Sequence, residues 1–168
     1  LTEKCNLGCV YCHAPINNAS GETMDKETAI QILNFIFKTT SPAITMEFQG
    51  GETLLNWDVI KFMIDEARKL NEIEKKDLRI TIVSNLTLPT EEQIKFLVDN
   101  DVTIAVSIDG PEHVHDANRP YLDGKGTYKK IISNIQKFDE VSKREKGMRI
   151  VAGLPTITRN SLEYGKEI

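Results

Sequence analysis

Four short runs of apolar and β-branched residues, set far apart and separated by helical patterns, constrain this chain more than any other feature. They are ITMEF (44–48), LRITIV (78–83), VTIAVS (102–107) and MRIVAGL (148–154), and each reads as a strand. Between them, DKETAIQILNFIFK carries Ile30, Leu33, Ile36 and Phe37 at near-helical spacing, and WDVIKFMIDEARKL puts Ile60, Met63, Ile64 and Ala67 on one face. TEEQIKFLV opens with Thr90 and Gln93 spaced for a capping box. TYKKIISNIQKF brings Ile131, Ile132, Ile135 and Phe138 together. Strands alternating with helices over connections of this length predict successive βα units, hence an α/β fold with a parallel sheet. An open doubly wound sheet and a partial parallel (β/α) barrel both satisfy the pattern. In either, ligands bind beyond the carboxyl ends of the strands, so the loops there hold the candidate site.

The 168 residues are enough for one domain with a real core. Twenty-five acidic against 21 basic residues leave a net charge of −4, which argues against a nucleic-acid or anionic-membrane partner. No stretch approaches the roughly 20 apolar residues of a membrane span. The first residue is Leu1, and NSLEYGKEI at the other end has a helix-like start. We therefore expect residues 1–168 to be one core domain excerpted from a longer protein, with a strand before Leu1 and a C-terminal part lying outside it.

All three cysteines fall in KCNLGCVYCH, residues 4–13. An odd number in eight positions makes a poor disulfide framework and suits a reduced, cytoplasmic setting. Cys9, Cys12 and His13 match the C-x-x-C-H pattern of covalent haem attachment, which leaves Cys5 idle. A structural zinc site needs four closed ligands and would conscript His13, whose position directly after Cys12 strains a shared tetrahedron. Three thiolates around a [4Fe–4S] cluster use every cysteine and leave one iron open for a substrate or cosubstrate.

Cys5-x3-Cys9-x2-Cys12, with Tyr11 before the last cysteine, resembles the signature of radical S-adenosylmethionine enzymes. FQGGET (48–53) resembles the Gly-Gly-Glu segment of that family. SIDGP (107–111) and HDANRP (115–120) are similar to segments of the branch that holds anaerobic sulfatase-maturing enzymes and ribosomal-peptide maturases, often with a C-terminal SPASM domain. The likeness runs along essentially the whole chain and implies a truncated partial barrel.

The resemblance also implies chemistry. Cys5, Cys9 and Cys12 would ligate a [4Fe–4S] cluster whose open iron is chelated by S-adenosylmethionine. Reductive cleavage would then give a 5′-deoxyadenosyl radical that abstracts hydrogen from a peptide or protein, with electrons from a flavodoxin- or ferredoxin-like donor. Tyr11, Gln49, Gly50, Gly51, Glu52, Asn85, Ser107, Asp109 and Arg119 would contact S-adenosylmethionine. Gly50 and Gly51 would admit its methionine moiety, Glu52 would orient its ammonium group or hold the loop, and Arg119 would pair with its carboxylate. The catalytic acid/base is expected outside these residues. The chain departs from the family pattern at Thr53, where proline is usual, and at Leu86, where SNL replaces Thr-Asn-Gly. His113 and His115 read as loop-structuring, and GKGT (124–127) as a turn capped by Thr127. An enzyme acting on a small molecule, and a zinc- or cluster-binding module without turnover, are the rival readings.

Overall fold

The computed structural model describes residues 1–14, 21–147 and 150–167. Its centre is a four-stranded sheet of β1 (Ala43–Phe48), β2 (Asp77–Ser84), β3 (Val102–Ser107) and β4 (Val151–Leu154), parallel throughout and ordered β1-β2-β3-β4. A doubly wound sheet reverses its order at a switch point. No reversal occurs here, so right-handed crossovers carry every helix to the same side. The order therefore selects the partial barrel over the doubly wound alternative.

The strands show the same asymmetry. Ile44, Met46 and Phe48 of β1, Ile80 and Ile82 of β2, and Val102, Ile104 and Val106 of β3 are buried in one core with the helices. On the opposite face Glu47, Thr81 and Thr103 lie side by side in register, exposed or half-buried. The covering helices are α1 (Lys26–Phe37), α2 (Trp57–Glu74), α3 (Glu91–Asp99) and α5 (Tyr128–Lys146). Short α4 (Glu112–Asn118) and 3-10 turns over Thr53–Asn56 and Arg159–Tyr164 complete the regular structure.

Local expectations fare unevenly. Ile60, Met63, Ile64 and Ala67 all face the core from α2. The capping box forms at Thr90: its hydroxyl accepts from the Gln93 amide, and the Gln93 side chain accepts from the Thr90 amide. In α1 the buried stripe is Ala29, Leu33 and Phe37, and Ile30 is 47% exposed. Leu33 and Phe37 are buried as expected and Ile36 packs against the core, but fully buried Ala29 takes the place expected for Ile30. In α5, Asn134 is buried between Ile131 and Phe138 and donates to the Leu86 carbonyl at 2.8 Å. The last expected strand pairs from Val151 onward, and its first two residues, 148 and 149, lie outside the described residues. α4 carries too few residues for a periodic signal and was not anticipated.

Candidate functional site

A cavity of about 490 Å³ opens beyond the carboxyl ends of the strands. Gly50 and Gly51 reach it from beyond β1, Ser84 and Asn85 from the end of β2, Ser107 from the end of β3 and Thr156 from beyond β4. Cys5, Cys9 and Cys12 line it from the other side.

The cysteine segment is tied to the strand ends along its length. The Gly51 amide donates to the Thr2 carbonyl (2.6 Å) and the Glu52 amide to the Lys4 carbonyl (2.7 Å). This approach is what demands glycine: a Cβ on Gly50 would fall 2.7 Å from the Thr2 carbonyl oxygen, and one on Gly51 would fall 2.3 Å from that of Lys4. Asn6 donates to the Thr87 hydroxyl (2.8 Å) and accepts from the Asn85 amide group (3.0 Å). On the far side, the Gly8 and Val10 amides donate to the Pro120 and Asn118 carbonyls, both at 2.9 Å. The Tyr11 hydroxyl donates to Asp109 at 2.6 Å.

All three thiols are free; Cys5 and Cys9 are half-buried and Cys12 is exposed. Burial raises the Cys5 thiol and pushes Cys9 up to about 11, although the Arg119 charge opposes the shift at Cys9. Metal binding must therefore displace protons from them. Among the described residues, no three His, Cys, Asp or Glu side chains gather around one point as a single ion requires. The three thiols do line one cavity, and there they would hold an iron–sulfur cluster.

Of the residues expected to contact a cofactor, Tyr11, Gln49, Gly50, Gly51, Asn85, Ser107 and Arg119 line the cavity. Glu52 and Asp109 do not; they stand behind its wall at 1% and 0% exposure. Glu52 accepts from the Leu54 amide (3.0 Å), the Ser84 hydroxyl (2.7 Å) and the Asn85 amide (2.8 Å), and so joins the Gly-Gly turn to the end of β2. Burial raises its pKa against those three donors. Asp109 accepts from Tyr11, Arg119 and the Thr156 amide. Burial pushes its carboxyl up, but Arg119 and Tyr11 outweigh that and hold it below the usual range.

Both departures from the family pattern are accommodated. The Thr53 hydroxyl donates to the Val83 carbonyl, a bond proline cannot make. Leu86 keeps the left-handed backbone that glycine favours, at φ +56°, with its side chain 1% exposed in the core. His115 is a buried loop strut as expected: its Nδ1 accepts from the Asp109 amide at 3.2 Å. The GKGT turn differs. Asp116, not Thr127, caps α5, accepting from the Thr127 and Tyr128 amides at 2.8 Å each. Sequence reasoning also missed Thr156, whose hydroxyl accepts from Arg119 (3.2 Å). Its place just after a strand's carboxyl end was the available signal.

Comparison with known proteins now has a geometry to explain. Residues 1–164 match the family model described as the Radical SAM superfamily. An uncharacterized protein of Methanocaldococcus jannaschii is 33% identical over 125 residues, 74% of this chain and 42% of that one. The cysteine-type anaerobic sulfatase-maturating enzyme of Clostridium novyi is 30% identical over 141 residues, covering 80% of this chain and 37% of its own. The chain thus spans well under half the length of these curated relatives. The solved structure of native anSMEcpe with bound AdoMet and Kp18Cys peptide superposes with a TM-score of 0.85 at 24% identity, over 99% of this chain and 44% of that one. That likeness establishes the fold. Among the described residues no helix is long and apolar enough to cross a membrane.

Proposed function

Because the chain belongs to the radical SAM superfamily, we propose that residues 1–168 are the core of an enzyme that uses a [4Fe–4S] cluster and S-adenosylmethionine to oxidise or modify a peptide or protein. The observation that carries this reading is the convergence of three free thiols and the ends of all four strands on one cavity. When bound, the cluster supplies the electron that cleaves S-adenosylmethionine, giving a radical that takes hydrogen from the substrate.

The chain's own part is to hold, orient and enclose. Cys5, Cys9 and Cys12 hold the cluster. Gly50 and Gly51 offer backbone at the cavity edge, and Asn85 and Ser107 offer short polar side chains there. Gln49 is a further polar contact at the same edge and shares a hydrogen bond with Glu47. Arg119 brings the cationic fork suited to a carboxylate. Tyr11 stacks beneath that guanidinium, 5.2 Å from ring centre to Cζ. The sulfatase-maturating relatives support the peptide or protein substrate; reduction of the cluster would call for a flavodoxin- or ferredoxin-like electron donor.

Two variants of the full-length protein test the assignments. Cys9→Ala abolishes both iron binding and cleavage. Arg119→Ala weakens S-adenosylmethionine binding and retains iron; iron loss in that variant contradicts its role. Stimulation of 5′-deoxyadenosine formation by cysteine- or serine-containing peptides tests the substrate class. Stimulation by small metabolites alone contradicts it.

A further inference from the structure

Arg119 lines the cavity, but most of what fixes it lies out of reach of any ligand there. Its Nη2 donates to Asp109 Oδ1 at 3.0 Å and to the Thr156 hydroxyl at 3.2 Å, while its Nε stands 3.0 Å from Asp109 Oδ2. That second contact is a charge contact, since the Nε–H lacks hydrogen-bond alignment. Asp109 Oδ2 also takes the Tyr11 hydroxyl and, at 3.3 Å, the Asn118 side chain; Oδ1 takes the Thr156 amide at 2.9 Å. One carboxylate with no exposed surface thus bonds to the cysteine loop, to the end of α4 and to the segment after β4.

The main chain is fixed from behind by a second set of bonds. The Asp109 amide donates to His115 Nδ1, and His115 Nε2 meets the Thr127 hydroxyl at 3.0 Å. That hydroxyl gives its own proton to the Arg119 carbonyl at 2.7 Å. The proton accounting sets the tautomer: Nδ1 accepts, so Nε2 carries the hydrogen and the imidazole is neutral. Asp109 and Arg119 therefore close a ring of contacts through side chains on one side and through His115 and Thr127 on the other.

We propose that Asp109 is a positioning residue: by gripping Arg119 and Tyr11 together, it aims the guanidinium into the cavity and locks that aim to the cysteine loop between Cys9 and Cys12. The proposal rests on the reading of the cavity as the S-adenosylmethionine site. A guanidinium fork is directional, so its value at a carboxylate depends on the plane in which it is held. Asp109 acts on the ligand only through Arg119.

The test compares Asp109→Asn, Arg119→Gln and the double variant in full-length reconstituted protein, reading iron content and S-adenosylmethionine affinity. Each single variant keeps wild-type iron and loses about tenfold or more in affinity, the scale of one misdirected charge-assisted bond. The double variant is no weaker than the weaker single one, because both changes remove the same contact. Additive losses, unchanged affinity in Asp109→Asn, or iron loss in that variant each overturn the proposal. Tyr11→Phe, which deletes only the hydroxyl, serves if Asp109→Asn does not fold; it lowers affinity less and also retains iron, and unchanged affinity overturns the proposal. Side-chain N–H resonances of Arg119 in metal-free full-length protein supply an independent readout. They are dispersed and slowly exchanging in the wild type and collapse toward the solvent-exposed position in Asp109→Asn; identical spectra overturn the proposal. Wild-type protein that binds no S-adenosylmethionine overturns the functional reading instead, and the resonances still decide whether Asp109 aims the arginine.

Discussion

Glu52 and Asp109 are two acids at equivalent depth behind one cavity, and they are satisfied in opposite ways. Glu52 is held by two backbone amides and the Ser84 hydroxyl, all neutral. Asp109 is held by a guanidinium, a phenol, a carboxamide and one amide. The first fastens main chain to main chain: the turn after β1 to the end of β2. The second fastens one cavity-lining side chain, Arg119, to another, Tyr11. Burial therefore does not assign a role to an acid; the charge of its partners does.

The largest expected effect comes from breaking the charged member. Asp109→Ala leaves Arg119 nearly buried without a counterion and lowers stability by about 3 kcal/mol, the low end for a broken buried pair because Arg119 keeps 8% of its surface exposed and lines the cavity. Urea denaturation measures it; a loss below that of any Glu52 variant reverses the ranking. Glu52→Ala orphans two backbone amides and a hydroxyl, for about 2 kcal/mol by the same measurement.

Acid titration separates the pair by sign. Stability rises with pH wherever the unfolded chain binds more protons. The depressed carboxyl of Asp109 contributes stability that is present above the unfolded value, roughly pH 4, and is lost as pH falls through the folded one. The raised carboxyl of Glu52 does the reverse, costing stability as pH climbs past roughly 4.3 toward its folded value. Relative to wild type, Asp109→Asn thus recovers on acidification, and Glu52→Gln gains as pH rises. Parallel pH profiles for the two variants contradict the contrast.

The smallest effect lies on the Glu52 side. Leu86, whose amide donates to the Ser84 hydroxyl at 2.9 Å, holds φ +56° against the preference of a side-chain-bearing residue. Leu86→Gly relieves about 1 kcal/mol of backbone strain and forfeits about 2 kcal/mol of buried side chain, a net loss near 1 kcal/mol.

The repeat of strands and helices was legible because periodicity is local, and so were the capping box at Thr90 and the glycine pair at 50–51. The three cysteines were legible as one group because all fall within eight positions, and the fold brings them to one cavity. What escaped depends on distance along the chain. Thr156 meets residues 37 and 47 positions away, and its place after a strand's carboxyl end marks it as a loop residue near the site without naming those partners. The inward turn of Glu52 and Asp109 depends on which loops cover them. Ile30 was misplaced because neighbouring phases of a helix can carry similar apolar stripes, and contact with the rest of the core chooses between them. The departure at Thr53 was legible as a departure, but the bond from Thr53 to Val83 is tertiary and was not.

The central claim is that these three thiols hold an iron–sulfur cluster at which S-adenosylmethionine is cleaved. Anaerobic reconstitution of the full-length protein, followed by reduction in the presence of S-adenosylmethionine, tests it most directly. The account predicts about four irons for the site formed by Cys5, Cys9 and Cys12, with 5′-deoxyadenosine released. Stoichiometric zinc with no 5′-deoxyadenosine would contradict it.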